Sequence, residues 1–255
     1  MTTTKIHSVE SFYNSLSEDY DLMTGDKTRW SVVKEQYLKL LEQFKPQNIL
    51  DAGCGTGGES ILLGELGYSV MGVDLSPKFI KIAQSKSRSM QSNIKFTVDD
   101  IRFLSAVDDS SNELITCRGN TLPHLKEVSD LRAALKSFKR VIQKDGLLIL
   151  QWLNYPLVQK KSERLIGVTG VESSPFVRFY DFKTNDTLVF NILQLHHDEK
   201  WKSEWLSTEL RAWSGDDVGM LMAEIGWNNI EIASDIERTD FDPDNSKNIV
   251  MFATG

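Results

Sequence analysis

The stretch Asn48-Ile49-Leu50-Asp51-Ala52-Gly53-Cys54-Gly55-Thr56-Gly57-Gly58-Glu59 decides the fold. A short apolar run ends in an acid, a glycine-rich turn follows, and a helical pattern continues from Glu59 through Leu66. That order predicts a strand, a tight loop and a helix, with a ligand-sized gap left by the missing side chains. Gly53, Gly55 and Gly58 have the dinucleotide spacing G-x-G-x-x-G, which alone is a weak signal. The charges around the loop say what it holds. A pyrophosphate needs free backbone donors and a positive helix end. Here Asp51 enters the loop, Glu59 leaves it, and no Lys or Arg lies between them. Two carboxylates repel a phosphate and attract a cation, so the loop reads as a site for a positively charged nucleoside.

Outward from the loop, Tyr68-Ser69-Val70-Met71-Gly72-Val73 is the next predicted strand, with Asp74 at its end. An acid there can hold both ribose hydroxyls. Ile94-Lys95-Phe96-Thr97-Val98 is the strand after that, followed by Asp99-Asp100. Three consecutive strands each end in a carboxylate, and in a parallel sheet those ends share one rim. Structural readings stand beside these: Asp51 can cap the glycine turn, Asp74 can cap the helix opening at Ser76-Pro77, and Asp99 can be a solvated neighbour of Asp100.

At this point the chain resembles the class I S-adenosylmethionine-dependent methyltransferases. The matching pieces are Leu50 to Gly57, Val73-Asp74-Leu75-Ser76 and Val98-Asp99-Asp100-Ile101, within residues 45–153. The resemblance implies an α/β, Rossmann-like seven-stranded, mostly parallel sheet with helices on both faces. It implies S-adenosyl-L-methionine as cofactor and S-adenosyl-L-homocysteine as product. Asp51 and the loop at Ala52, Gly53, Cys54 and Gly55 would hold the methionine end, Asp74 and Leu75 the ribose, and Asp99, Asp100 and Ile101 the adenine region, with Arg118 also in the cofactor set. In related enzymes a Tyr-rich N-terminal segment closes over the cofactor. Tyr13 and Tyr20 would pack there, and Arg29 would pair with the cofactor carboxylate, for which a guanidinium's bidentate geometry is suited.

The fourth strand, Glu113 to Cys117, runs into Arg118-Gly119-Asn120-Thr121-Leu122-Pro123-His124-Leu125. This resembles the glycine and sarcosine N-methyltransferases, in which Gly-Asn-Ser-x-x-His-Leu follows the same strand. The resemblance makes Asn120, His124 and Tyr20 the catalytic candidates, with Asn120 facing the transferred methyl. His124 is either a proton acceptor or a hydrogen-bonding residue at a helix start. In the glycine-type enzymes an Arg precedes the Asn-Tyr after strand five and holds the substrate carboxylate. This chain has Leu153-Asn154-Tyr155, so a less charged acceptor fits better unless Arg178 or Arg211 supplies the cation. The substrate candidates are Asn120, Trp152, Tyr155, Arg178 and Tyr180.

The remaining pattern predicts helices over 30–44 and 128–143 and a fifth strand over 146–153. Residues 154–212 break the alternation. Two-residue periodicity at 176–182 and 187–193 and a further segment at 200–211 predict a three-stranded antiparallel β cap over the carboxyl rim of the core. The expected division is an N-terminal helical lid over 1–44, a cofactor-binding core over 45–153 and 213–255, and an inserted substrate cap over 154–212.

With 255 residues, 40% of them hydrophobic, the chain can build a large packed core. A net charge of −7 opposes a broad nucleic-acid surface. Two cysteines are too few for a disulfide framework, and His196-His197 would point to opposite faces of a strand, so no metal is expected. The polar start and the absence of an apolar run near 20 residues lead us to expect a soluble cytoplasmic protein with no membrane partner. A monomer or homodimer is expected. The reading is a methyltransferase moving a methyl by in-line displacement to N, O or S of a small molecule. Competing readings are methylation of a protein or peptide side chain, a dinucleotide oxidoreductase, which the acids oppose, and a non-catalytic nucleotide-binding regulator.

Overall fold

The computed structural model describes residues 5–24, 27–88, 93–184, 186–197 and 200–255. Two short helices, α1 (Val9–Leu16) and α2 (Tyr20–Thr24), precede α3 (Lys27–Gln43). Alternation then begins: β1 (Asn48–Ala52), α4 (Gly58–Glu65), β2 (Ser69–Asp74), α5 (Pro77–Ser87) and β3 (Ile94–Val98). It continues with β4 (Asn112–Cys117), a 3-10 turn at Leu122–His124, α6 (Val128–Val141), β5 (Ile142–Leu153) and α7 (Tyr155–Lys160). The inserted strands are β6 (Leu165–Val171), β7 (Ser174–Phe182), β8 (Thr187–His197) and β9 (Trp201–Arg211). The chain closes with α8 (Gly215–Ile225), β10 (Asn228–Ala233) and β11 (Asn248–Thr254).

One sheet has seven strands in the order β10-β11-β5-β4-β1-β2-β3. β1 lies between β2 and β4 with parallel pairing on both sides, and β11 runs antiparallel to β5. The order reverses beside β1, so the carboxyl ends of β1, β2 and β4 open a crevice at this switch point. Register puts the acids on that rim: Asp51 aligns with Gly72 and Thr116, and Asp74 with Val98.

Alternate residues of the buried strands feed two cores. Leu50 and Ala52 pack with α6 residues such as Leu135 and Phe138, whereas Ile49 packs with Val33, Tyr37 and Leu41 of α3. The helix start read at Ser76-Pro77 holds chemically, Ser76 Oγ accepting from Phe79 N at the start of α5. Ser214 with Asp217 forms a reciprocal capping box on α8, which ends at the left-handed Gly226.

The second sheet is antiparallel, ordered β6-β7-β8-β9, and has four strands where three were expected. The extra strand, β6, lies at the edge. Leu165, Ile166, Val168 and Val171 are exposed and two glycines interrupt it, so it lacks the half-buried alternation that marks a strand in sequence. The inner face of β7 to β9 places Phe176, Ile192 and Leu206 against Phe12, Leu16 and Met23 of α1 and α2. β5 begins four residues before the predicted Gly146, because Ile142 already pairs with Asn112 ahead of a register shift. No helix among the described residues is long and apolar enough to cross a membrane.

Candidate active site

The crevice has two chambers that meet at Tyr20, Gly53, Gly55 and Gly119. The first is lined by Asp74, Leu75, Asp99, Asp100 and Ile101 from the ends of β2 and β3, with Tyr13, Phe79 and His124 above them. The second is lined by Asp51, Cys54, Thr56, Glu59 and Arg118, with Tyr20, Asp21 and Trp30 from the N-terminal helices. Ala52 lies fully buried just beneath the loop.

The loop's shape is enforced by its neighbours. Gly53 sits at φ +81, and a Cβ there would lie 2.4 Å from Thr121 Oγ1. Its N–H and that of Cys54 both donate to Val73 O, at 2.8 and 2.9 Å, locking the turn onto β2. Gly58 is pressed by Trp30, whose ring a Cβ would meet at 2.3 Å.

Each rim acid has a defined partner set. Asp74 accepts from Gly55 N at 2.9 Å and Ser76 N at 2.8 Å. Burial raises its pKa despite those two amides. Asp51, 3% exposed, accepts from Ser60 Oγ at 2.5 Å. Burial first, then the charge of Glu59, pushes its pKa well up. Asp99 accepts from Asp100 N and Ala106 N, both at 2.8 Å, so it braces its own loop. Asp100 forms a fork with Arg102, whose Nη1 also reaches Asp130 at 3.0 Å. Burial works against ionisation of Asp100, but Arg102 outweighs it and lowers the pKa.

Glu59 is not the uncompensated acid that its place in the sequence suggests. Arg118 Nη1 lies 3.1 Å from its Oε2, Tyr37 Oη donates to its other oxygen, and the Arg118 guanidinium stands 5.3 Å from the Tyr37 ring centre.

Tyr13 and Tyr20 both reach the crevice. Tyr13 Oη lies 2.7 Å from His124 Nε2, and its ring packs within 6.0 Å of Tyr20 and 5.5 Å of Phe79. Burial lowers the His124 pKa to about 4, so the imidazole is neutral at pH 7. Its Nδ1 is buried without a hydrogen-bond partner. The side chain of Arg29 lies outside the described residues.

Several expectations are corrected. Trp152 is fully buried and donates its indole N–H to Trp213 O at 2.8 Å, so it is core rather than a substrate contact. Tyr155 is also buried, with its hydroxyl 3.4 Å from that of Tyr180, and lines neither chamber. Asn120 adopts φ +72, which turns its side-chain oxygen back to accept from Leu153 N at 2.8 Å, while Gly119 and Thr121 face the first chamber. Arg178 and Tyr180 lie on β7 outside the lining of either chamber, and Arg211 stacks on Trp213 at 4.2 Å.

Sequence reasoning missed the fasteners that hold the N-terminal helices down. Thr56 Oγ1 donates to Asp21 at 2.6 Å, Lys86 pairs with the same carboxylate, and Ser76 Oγ donates to Asn14 Oδ1 at 2.6 Å. Gln194 Nε2 on β8 donates to Asp19 at 2.7 Å. Tyr37 falls on the apolar face of the helix predicted over 30–44, and its hydroxyl carries no periodic signal.

Residues 49–146 match the methyltransferase domain family. A glycine/sarcosine N-methyltransferase of Parasynechococcus marenigrum is 28% identical over 149 residues, covering 58% of this chain and 53% of that protein. The match thus spans about half of that relative's length. Another from Aphanothece halophytica is 26% identical over 245 residues, covering 91% of this chain and 86% of the relative. The crystal structure of an S-adenosylmethionine-dependent methyltransferase from Clostridium acetobutylicum superposes with a TM-score of 0.78 at 18% identity, covering 95% and 98% of the two chains.

Proposed function

We propose that this chain, a class I S-adenosylmethionine-dependent methyltransferase, moves a methyl group in line onto a small-molecule acceptor, with an amine nitrogen as the favoured nucleophile. The observation that carries the reading is the set of strand-end acids around one glycine loop, Asp51, Asp74 and Asp100, all lining a single crevice. The residues fit that cofactor. Asp74 keeps lone pairs for two hydroxyls after accepting from Gly55 and Ser76. The small loop residues leave room for a nucleoside, and the second chamber carries both an acid and a guanidinium for an amino-acid tail.

The bound cofactor supplies an already activated sulfonium methyl. This chain's part is alignment and exclusion of water. Tyr13, Tyr20 and Phe79 form an aromatic wall beside the junction of the chambers, with electron-rich faces suited to a cationic centre. Positioning of two reactants in one line contributes about 7–11 kcal/mol. His124, neutral with a pKa of about 4, is a weak base and serves to orient the Tyr13 hydroxyl. The acceptor's nitrogen therefore arrives already unprotonated.

Relatives named as glycine/sarcosine N-methyltransferases support an amine acceptor. Leu153 stands where the resemblance would place the carboxylate-binding Arg, which argues for an amine without a carboxylate at that point. Residues of α1 and α2 line both chambers, and the inserted sheet holds those helices down through Gln194–Asp19 and the Phe12 cluster, an arrangement that suits a small molecule. A metabolite screen with purified protein, reading S-adenosylhomocysteine release, is expected to find turnover with small amines. Turnover only with proteins or peptides would overturn the acceptor assignment.

A further inference from the structure

The inserted sheet has a second face. Its inward residues Phe176, Ile192 and Leu206 pack on α1 and α2. An antiparallel sheet with one face on a core commonly turns a polar face to water. Here register instead aligns Val168, Val177, Leu193 and Trp205 in one apolar row across all four strands. Leu165 and Phe179 pair in the neighbouring row, and the Phe179 and Trp205 rings meet edge to face with centres 5.4 Å apart. Trp201 lies four residues before Trp205, on the same face of β9. Leu165, Val168, Trp201 and Trp205 are 65%, 62%, 58% and 46% exposed. The polar atoms of this face are already engaged with one another. Ser207 Oγ and Trp205 Nε1 both donate to Asn191 Oδ1, and Asn191 Nδ2 donates to Asp181. Its acids Asp181 and Glu209 are matched within the chain, by Arg164 and by Lys126 and Lys183.

We propose that this face is the interface of a homodimer, in which the inserted sheets of two copies of this chain stack outer face to outer face. Charge argues for that occupant. The face offers neither sign to a charged partner, and in a chain of net charge −7 it is a surface on which two copies meet with no like charges opposed. Size agrees. Four strands about 4.8 Å apart and about nine residues long, at roughly 3.4 Å per residue, present on the order of 600 Å² a side. Two copies would bury about 1,200 Å², the lower bound of a stable specific interface. Two twisted sheets pack aligned at a separation of about 10 Å, and a two-fold axis lets each copy give the same patch. Trp201, Trp205 and Phe179 are residue types enriched at such contacts. The assignment does not depend on the activity of the crevice, and its test needs no substrate.

The test is sedimentation velocity on the full chain between about 1 and 100 μM, with thermal melting as the check on folding. The wild-type protein should move from the chain mass of 28.9 kDa to twice that value. Leu165→Glu/Val168→Glu places two carboxylates on the open edge strand β6, where the monomer tolerates them, and should weaken association at least ~100-fold by burying unmatched charge. Trp201→Ser, on the opposite edge of the sheet, should weaken it about 10-fold or more. Met220→Glu, at an apolar residue 62% exposed on α8, should leave the dimer unchanged. Should the double variant fail to fold, Trp201→Ser alone decides. A wild-type protein that stays monomeric throughout overturns the assignment and leaves the face to a different partner. A dimer that persists in the folded sheet variants overturns it as well, and so does one that Met220→Glu breaks as readily.

Discussion

His124 offers a test that does not need the acceptor. Its imidazole has an ordinary pKa of 6.5, which the fold lowers to about 4. Above pH 6.5 it is neutral in both folded and unfolded chains and contributes no pH dependence. As pH falls from 6.5 towards 4, the unfolded chain takes up a proton that the folded chain refuses, so stability is lost across that window and levels off below it. A shift of roughly 2.5 units at 1.36 kcal/mol each gives about 3.4 kcal/mol, and the partial solvent contact of the ring reduces this to about 2–3 kcal/mol. The perturbation is His124→Gln, which keeps a hydrogen-bonding group near Tyr13 Oη and removes the titration. The assay is reversible urea unfolding at intervals between pH 4 and pH 7. The wild-type protein should lose about 2–3 kcal/mol more than the variant over this range. Parallel curves for the two proteins would refute the argument, because they would mean that His124 protonates as readily in the folded chain as in the unfolded one.

Two further outcomes follow from the geometry. Asp74→Asn replaces a charged acceptor of two backbone amides with a neutral amide. S-adenosylhomocysteine should then bind on the order of 10- to 150-fold more weakly by calorimetry, and unchanged affinity would remove Asp74 from the ribose site. Trp152→Phe should lower the melting temperature by about 5–15 °C, corresponding to about 2–4 kcal/mol of lost packing and a lost indole hydrogen bond, while leaving the acceptor KM unchanged. A raised KM at an unchanged melting temperature would return Trp152 to the substrate site.

Much of the fold was legible because it is periodic. The acid-ended apolar runs at 48–52, 69–74 and 94–98 and the capped helices between them announce a parallel sheet, and the rim acids arrive where that topology puts them. What was not legible depends on contacts with no local signature. Glu59 and Arg118 are separated by 59 positions, yet their pairing decides the charge of the second chamber. Asn120 looked like a methyl-facing residue, but a left-handed backbone turned it towards β5. Trp152, near the end of β5, and Tyr155, just beyond it, sit at the ligand-side end of a strand in sequence and are buried by packing from α8 and the inserted sheet. β6 was invisible because an edge strand with exposed apolar residues and internal glycines resembles a loop.

The first two helices belong to no sheet, yet they are stitched to everything around the crevice. Asn14 grips the start of α5, Asp21 the glycine loop, Tyr13 the 3-10 turn and Asp19 the β8 strand. The strap thus has four separate anchorages, on α5, the glycine loop, the 3-10 turn and β8. Displacing it would cost contacts with the sheet core and with the inserted sheet alike, so a change in either is felt at the rim of the crevice.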